Sequence, residues 1–120
     1  EELPHWIEAG CDLFLMPSQY EPGGLTQLYS LIYGTIPVVR AVGGLKDTVQ
    51  EFDPITGAGN GFCFELYEAQ AFLQALERAL ALFHQQEQWA ALMRNAMGAD
   101  FAWERSARAY LDLYRKLVGT

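Results

Sequence analysis

The spacing of apolar and polar positions changes period several times along the chain, and each change marks an element. Leu3, Trp6, Ile7 and Ala9 fall at helical spacing up to Gly10, with Pro4 in the first turn, where the missing N–H costs little. Leu13-Phe14-Leu15-Met16 is an unbroken apolar run stopped by Pro17-Ser18. A run without alternation predicts a strand covered on both faces, as in parallel sheets. Gln19 to Gly24 reads as a loop, after which Leu25, Leu28, Tyr29 and Ile32 return to helical spacing until Gly34 ends the helix. Ile36-Pro37-Val38-Val39 is a second short strand, with its proline near the start where a strand tolerates it. Gly43-Gly44 then turns the chain into a short helix over Leu45–Val49, residues 53–61 form an irregular loop, and Phe62-Cys63-Phe64 is a third strand.

The remainder is helical. Phe72, Leu73, Leu76, Leu80 and Phe83 share one face between Ala69 and Phe83 and are expected in the core. Trp89 to Met97 forms another helix, and Trp103 to Leu117 a last one with Tyr110, Leu113, Tyr114 and Leu117 as its apolar stripe. Trp6, Trp89 and Trp103 are expected to pack inward. Strands alternating with helices and followed by helices predict βαβ units, a parallel sheet and right-handed connections, an α/β fold. The chain shows no repeat, low-complexity tract or interdomain linker.

Composition narrows the chemistry. The 120 residues carry 15 acidic and 8 basic side chains, a formal charge of −7, and are 51% hydrophobic. That is enough apolar matter for a packed core, while the acidity argues against nucleic acid and anionic membranes as partners. No apolar run approaches the roughly 18–20 residues of a membrane span, and Glu1-Glu2 offers no basic start of a signal peptide. The expected location is cytoplasmic. Cys11 and Cys63 lie far apart among apolar neighbours and read as small buried hydrophobes. His5 and His84 lack metal-ligand spacing, so no metal and no cofactor is expected; Ser18, Ser30 and Ser106 lack a nucleophile-elbow context. Because the chain opens at Glu1 with a helical pattern under way and no methionine, a piece of a longer protein is expected.

The most informative segment is Ser18-Gln-Tyr-Glu-Pro-Gly-Gly-Leu-Thr-Gln-Leu-Tyr29, in which a strand ends, a glycine loop follows and a helix begins near Leu25. In open α/β sheets ligands bind beyond the carboxyl ends of strands. Glycines let a ligand approach the main chain, and the N–H groups at the start of the next helix suit a phosphate. Thr26 adds a hydroxyl, and Glu21, at the loop tip, is an acceptor better matched to sugar hydroxyls than to an anion. Gly43-Gly44-Leu45, after the strand ending at Arg40, repeats the geometry. These features suggest a sugar-phosphate or sugar-nucleotide ligand. The plain alternative is that the glycines only punctuate the chain and Glu21 is a solvated turn residue. Arg40 suits a phosphate or a carboxylate partner, and Asp47 and Thr48 suit a ligand hydroxyl, capping or simple exposure.

Pro17-Ser-Gln-Tyr-Glu-Pro-Gly-Gly-Leu-Thr-Gln-Leu-Tyr-Ser-Leu, Tyr33-Gly-Thr-Ile-Pro-Val-Val-Arg and Gly43-Gly-Leu-Lys-Asp-Thr-Val, in that order, strongly resemble bacterial glycogen synthase and plant starch synthase. These are retaining ADP-glucose glucosyltransferases of the GT-B fold. The resemblance implies that residues 1–120 are part of a C-terminal, donor-binding domain: a Rossmann-like half with three parallel strands, flanking helices and a helical C-terminal segment. In the family's strand order 3-2-1-4-5-6 the chain would supply strands 4, 5 and 6.

The resemblance also implies roles. Glu21 would hold hydroxyls of the donor glucose and is the candidate catalytic residue. Gly23 and Gly24 would offer N–H groups to the glucose and diphosphate, and Leu25 and Thr26 would meet the distal phosphate. Tyr29 stands where many GT-B relatives have a second Glu, so ribose recognition by a carboxylate is not implied. Many synthases have Cys at the place of Gly23, which leaves only a main-chain contact there. The family's Arg–Lys pair for the departing diphosphate lies upstream, and its catalytic His in an N-terminal domain. The chain alone is therefore expected to be inactive, and to form a homo-oligomer through its bared sheet edge and apolar face. ADP-glucose and an α-glucan acceptor would be partners of the parent enzyme. Two other readings stay open: a GT-B transferase using a UDP- or GDP-sugar, and a sugar-nucleotide-binding module without chemistry.

Overall fold

The computed structural model describes residues 2–119; Glu1 and Thr120, the two ends of the expected 1–120 unit, lie outside the described residues. The elements run α1 (Leu3–Gly10), β1 (Leu13–Met16), α2 (Thr26–Tyr33), β2 (Ile36–Arg40), α3 (Gly43–Thr48), β3 (Phe62–Phe64), α4 (Ala69–Phe83), α5 (Gln86–Gly98) and α6 (Trp103–Val118). The three strands form one parallel sheet in the order β1-β2-β3, with Leu13 opposite Ile36 and Val38 opposite Phe62.

Period-2 alternation on β2 and β3 sends side chains to two packed layers. Ile36, Val38, Phe62 and Phe64 join Leu31 of α2, Ala75 and Ala79 of α4, and Trp89 and Leu92 of α5 in the main core. Val39 faces the other way, against Leu45 and Val49, with Cys63 and Met16 at the margin. β2 is thus covered on both faces, as an unalternating run demands. Among the described residues β1 has a strand neighbour on one side only, and Leu15 is 46% exposed. Gly34 closes α2 in the left-handed conformation at φ +75°, its N–H bonded to Leu31 O, and the Thr35 hydroxyl then donates to the carbonyls of Glu8 and Cys11, tying α1 to the start of β2.

Several expectations are corrected. Gly43 and Gly44 do not precede a helix at Leu45; they form the first turn of α3. α5 starts at Gln86, ahead of Trp89. On α4 the buried face is Ala75, Ala79 and Leu82, whereas Leu80 and Phe83 are exposed. Small alanines let the helix lie close to the sheet, so the seam falls on them instead of on the bulkier residues. Trp89 is buried, but Trp6 and Trp103 are 72% and 75% exposed. The apolar stripe of α6 is present, yet α6 has no buried residue. Cys11 is exposed and Cys63 only partly covered. No helix among the described residues is long and apolar enough to cross a membrane.

Candidate functional site

The carboxyl ends of β1 and β2 lie side by side, since Met16 pairs with Val39. The chain leaving β1 and the chain leaving β2 meet there. Gly44 N–H donates to Glu21 O at 3.0 Å. A Cβ on Gly43, at φ +52°, would collide with the Glu21 carbonyl, and one on Gly44 with the Gly23 carbonyl. Gly43 and Gly44 therefore let two backbones touch, a closer approach than any side chain there permits. Gly24 adopts φ +75°, a left-handed conformation that favours glycine.

Helix α2 opens directly above this contact. Its N-cap, Leu25, makes no side-chain cap. Among the described residues the N–H groups of Gly23, Gly24, Leu25 and Thr26 find no acceptor. Such unpaired donors at a helix start, reinforced by the peptide dipoles, form an anion-binding surface. Leu25 and Thr26 are exposed, as is Gly23, and Gly24 is half-buried. The Thr26 hydroxyl donates to Met16 Sδ at 3.6 Å, a weak bond. Glu21 is half-buried, and its carboxylate has no hydrogen-bond or ion-pair partner among the described residues, which leaves it free to accept from hydroxyl groups. Glu21, Gly23, Gly24, Leu25 and Thr26 thus belong to one continuous surface. Tyr29, one turn further on, packs edge-on against His5 of α1 at 5.1 Å between ring centres.

Arg40 does something neither reading anticipated. Its Nη1 donates to Gln19 O at 2.7 Å and its Nε to Glu65 O at 2.8 Å, and the guanidinium lies 5.4 Å above the Tyr67 ring. It clamps the loops after β1 and β3 together and has no carboxylate partner among the described residues. Thr48 serves the backbone: its hydroxyl donates to Gly44 O at 2.8 Å. Asp47 is exposed on α3. Among the described residues no three His, Cys, Asp or Glu side chains converge on a metal position.

Gln27 was not among the expected site residues. It is fully buried, and its Nε2 donates to Gly23 O at 2.8 Å and Gly24 O at 3.0 Å. The signal for it is spacing. Gln27 lies four residues before Leu31, on the inward stripe of α2 that also carries Ser30. A polar residue on an apolar face is an anomaly worth following.

Comparison with known proteins fits this layout. The model of the family described as glycosyl transferases group 1 matches residues 1–96. The chain is 59% identical over 114 residues to the glycogen synthase of Desulforudis audaxviator, covering 94% of this chain and 23% of that protein. It is 57% identical over 118 residues to the glycogen synthase of an Anaeromyxobacter species, covering 98% and 25%. Among solved structures, the catalytic domain of Starch Synthase IV from Arabidopsis thaliana bound to ADP and acarbose superposes with a TM-score of 0.86 at 42% identity, over 100% of this chain and 25% of that one. Sucrose-phosphate synthase from Thermosynechococcus elongatus follows with a TM-score of 0.67 at 29% identity, over 94% and 27%. The chain spans about a quarter of the length of the curated relatives it matches.

Proposed function

The chain belongs to the glycosyl transferases group 1 family, and from that premise we propose that it is the donor-site part of a retaining glucosyltransferase. The full-length protein transfers glucose from ADP-glucose to the non-reducing end of an α-1,4-glucan, in the cytoplasm. One observation carries the reading: the backbone contact between the two glycine loops, which leaves a row of unpaired N–H groups at the start of α2. The relatives named glycogen synthase, and the starch synthase bound to ADP and acarbose, support the choice of ligand.

The chemistry follows from where charge grows. As the bond from the sugar's anomeric carbon to the distal phosphate breaks, the electron pair stays with ADP. Preorganised donors facing that phosphate oppose the cost. Leu25 and Thr26 supply N–H groups and a hydroxyl to it, and Gly23 and Gly24 supply N–H groups to the diphosphate and glucose. Glu21 accepts hydrogen bonds from glucose hydroxyls and so fixes the ring relative to the leaving group, its part in catalysis. Tyr29 borders the surface without supplying a carboxylate. Residues 1–120 act as part of a C-terminal domain, and the cations and acceptor groups that complete the reaction come from the rest of the protein.

The test is glucosyl transfer onto glycogen by the full-length protein with ADP-, UDP- and GDP-glucose. Preference for ADP-glucose is expected, and preference for another donor overturns the reading. The 120-residue chain alone is expected to give no turnover. With Leu15 exposed on the open edge of β1 and the stripe of α6 uncovered, the chain on its own forms a dimer or larger homo-oligomer. A strict monomer in light scattering at high concentration would overturn that.

A further inference from the structure

We propose that Gln27 is the positioning residue of the first glycine loop, aiming the N–H groups of Gly24 and Leu25 at the distal phosphate; the inference rests on the donor-site reading above. Its side chain is completely shielded from solvent. Burying an amide is costly unless it is hydrogen-bonded, so its bonds must repay its place on an otherwise apolar helix face. The two short bonds, to Gly23 O and Gly24 O, go to consecutive peptide groups. Peptide groups are planar, and none among the described residues is cis. The carbonyl of Gly23 shares its plane with the N–H of Gly24, and the carbonyl of Gly24 shares its plane with the N–H of Leu25. Pulling both carbonyls inward onto one amide nitrogen therefore turns both N–H groups outward. In ordinary extended chain successive carbonyls point opposite ways; the left-handed Gly24 at φ +75° allows two to converge.

Two further contacts fit this role. Gln27 Oε1 is buried without a partner, so Nε2 alone holds the amide to the loop. A Cβ on Gly24 would collide with that oxygen, which makes the glycine and the glutamine a matched pair. Nε2 also reaches Thr48 Oγ1 at 3.4 Å, and Thr48 in turn holds Gly44 O. The same side chain thereby links both glycine loops.

The test uses the full-length protein, with ADP and AMP as probes in titration calorimetry, because only ADP has the distal phosphate. Gln27→Met keeps length and volume and removes the donor. Its affinity for ADP is expected to fall by about tenfold while that for AMP stays within about twofold, since charge-assisted bonds to phosphate depend on donor direction. Unchanged ADP affinity, or equal losses for ADP and AMP, would overturn the proposal. Should Gln27→Met fail to fold, Gln27→Glu gives a second readout. A protonated carboxyl can donate to one of the carbonyls and a carboxylate cannot. The ratio of variant to wild-type ADP dissociation constants, which cancels the titration of ADP itself, should then drop between about pH 8 and about pH 5.5. A flat ratio overturns the proposal. Wild-type protein that binds neither nucleotide would overturn the donor-site reading itself, before any variant is made.

Discussion

Gly44 donates its main-chain N–H to the carbonyl of Glu21 at 3.0 Å, and that bond fastens the start of α3 to the loop that follows β1. The contact fills the space in which a side chain would stand. Gly44→Ala pushes a methyl group into the Gly23 carbonyl and is expected to cost about 1–3 kcal/mol of stability, in the range of overpacked cores. Gly23→Ala, whose Cβ meets nothing within 4 Å, is the control, expected within about 0.5 kcal/mol of wild type. Denaturant unfolding of both variants decides; equal stabilities would refute the packing argument.

Glu21 faces the proposed glucose through its side chain and holds α3 through its main chain. Glu21→Ala removes only the first. In the full-length protein it is expected to lower kcat/KM for ADP-glucose by about tenfold or more while ADP binding stays within about twofold, the mark of lost sugar contacts. Steady-state kinetics beside calorimetry with ADP would separate the two, and equal losses would make Glu21 structural.

Glu8 is 7% exposed, and its Oε2 has no hydrogen-bond partner. Burial pushes its carboxyl above the usual range, with His5 pulling weakly the other way. A carboxyl raised on folding contributes fully below its unfolded value of 4.5 and loses that contribution as pH rises through the folded value. Glu8→Gln should therefore be more stable than wild type at neutral pH, with the advantage shrinking as pH falls through the raised folded value and gone below about 4.5. Thermal melts across that range report it; a pH-independent difference would mean that ionisation of Glu8 is not the cause.

The two thiols differ sharply. Cys63 Sγ lies 3.4 Å from Val49 O. Burial, then the nearby Glu51 carboxylate, push its pKa up to about 11 from 9.0, against a smaller opposing pull from Arg78. Cys11 is exposed. A thiol-specific reagent at neutral pH is expected to modify one cysteine quickly and the other only after denaturation, because the thiolate is the reactive form. Cys11→Ser should abolish the fast phase. Because the raised pKa favours the folded state below 9.0 and that advantage fades toward about 11, stability should also decline across this alkaline window.

Much of the layout is legible in the residues. Two unalternating runs, Leu13–Met16 and Ile36–Val39, read as strands covered on both faces, which holds for β2 but not for β1, where Leu15 is exposed, and Gly34 ends α2 as its position suggests. The glycine loops and Glu21 are visible as spacing and chemistry. What escapes the sequence depends on packing between segments far apart along the chain. Gly43-Gly44 looks like a turn because nothing local reveals that the Glu21 and Gly23 carbonyls sit where side chains would be. Arg40 suits a phosphate or a carboxylate, and only the fold brings the Gln19 and Glu65 carbonyls beside it. The stripe of α6 has the right period for a core and finds no surface within the chain to lie on. Gln27 is marked only by its place on the inward stripe of α2, and its carbonyl partners appear only in the fold.

The Arg40 clamp has a kinetic consequence. Two carbonyls and a ring fix its guanidinium without cancelling its charge, so within this chain an incoming diphosphate meets peptide dipoles and that fixed cation at close range and a formal charge of −7 at long range. Dipole fields fade within about one helical turn, whereas net charge is felt out to the Debye length, about 10 Å at 0.1 M salt. Approach of the anion to these loops is therefore uphill until the last few ångströms, and added salt, which weakens most encounters between a protein and a phosphate, should speed this one.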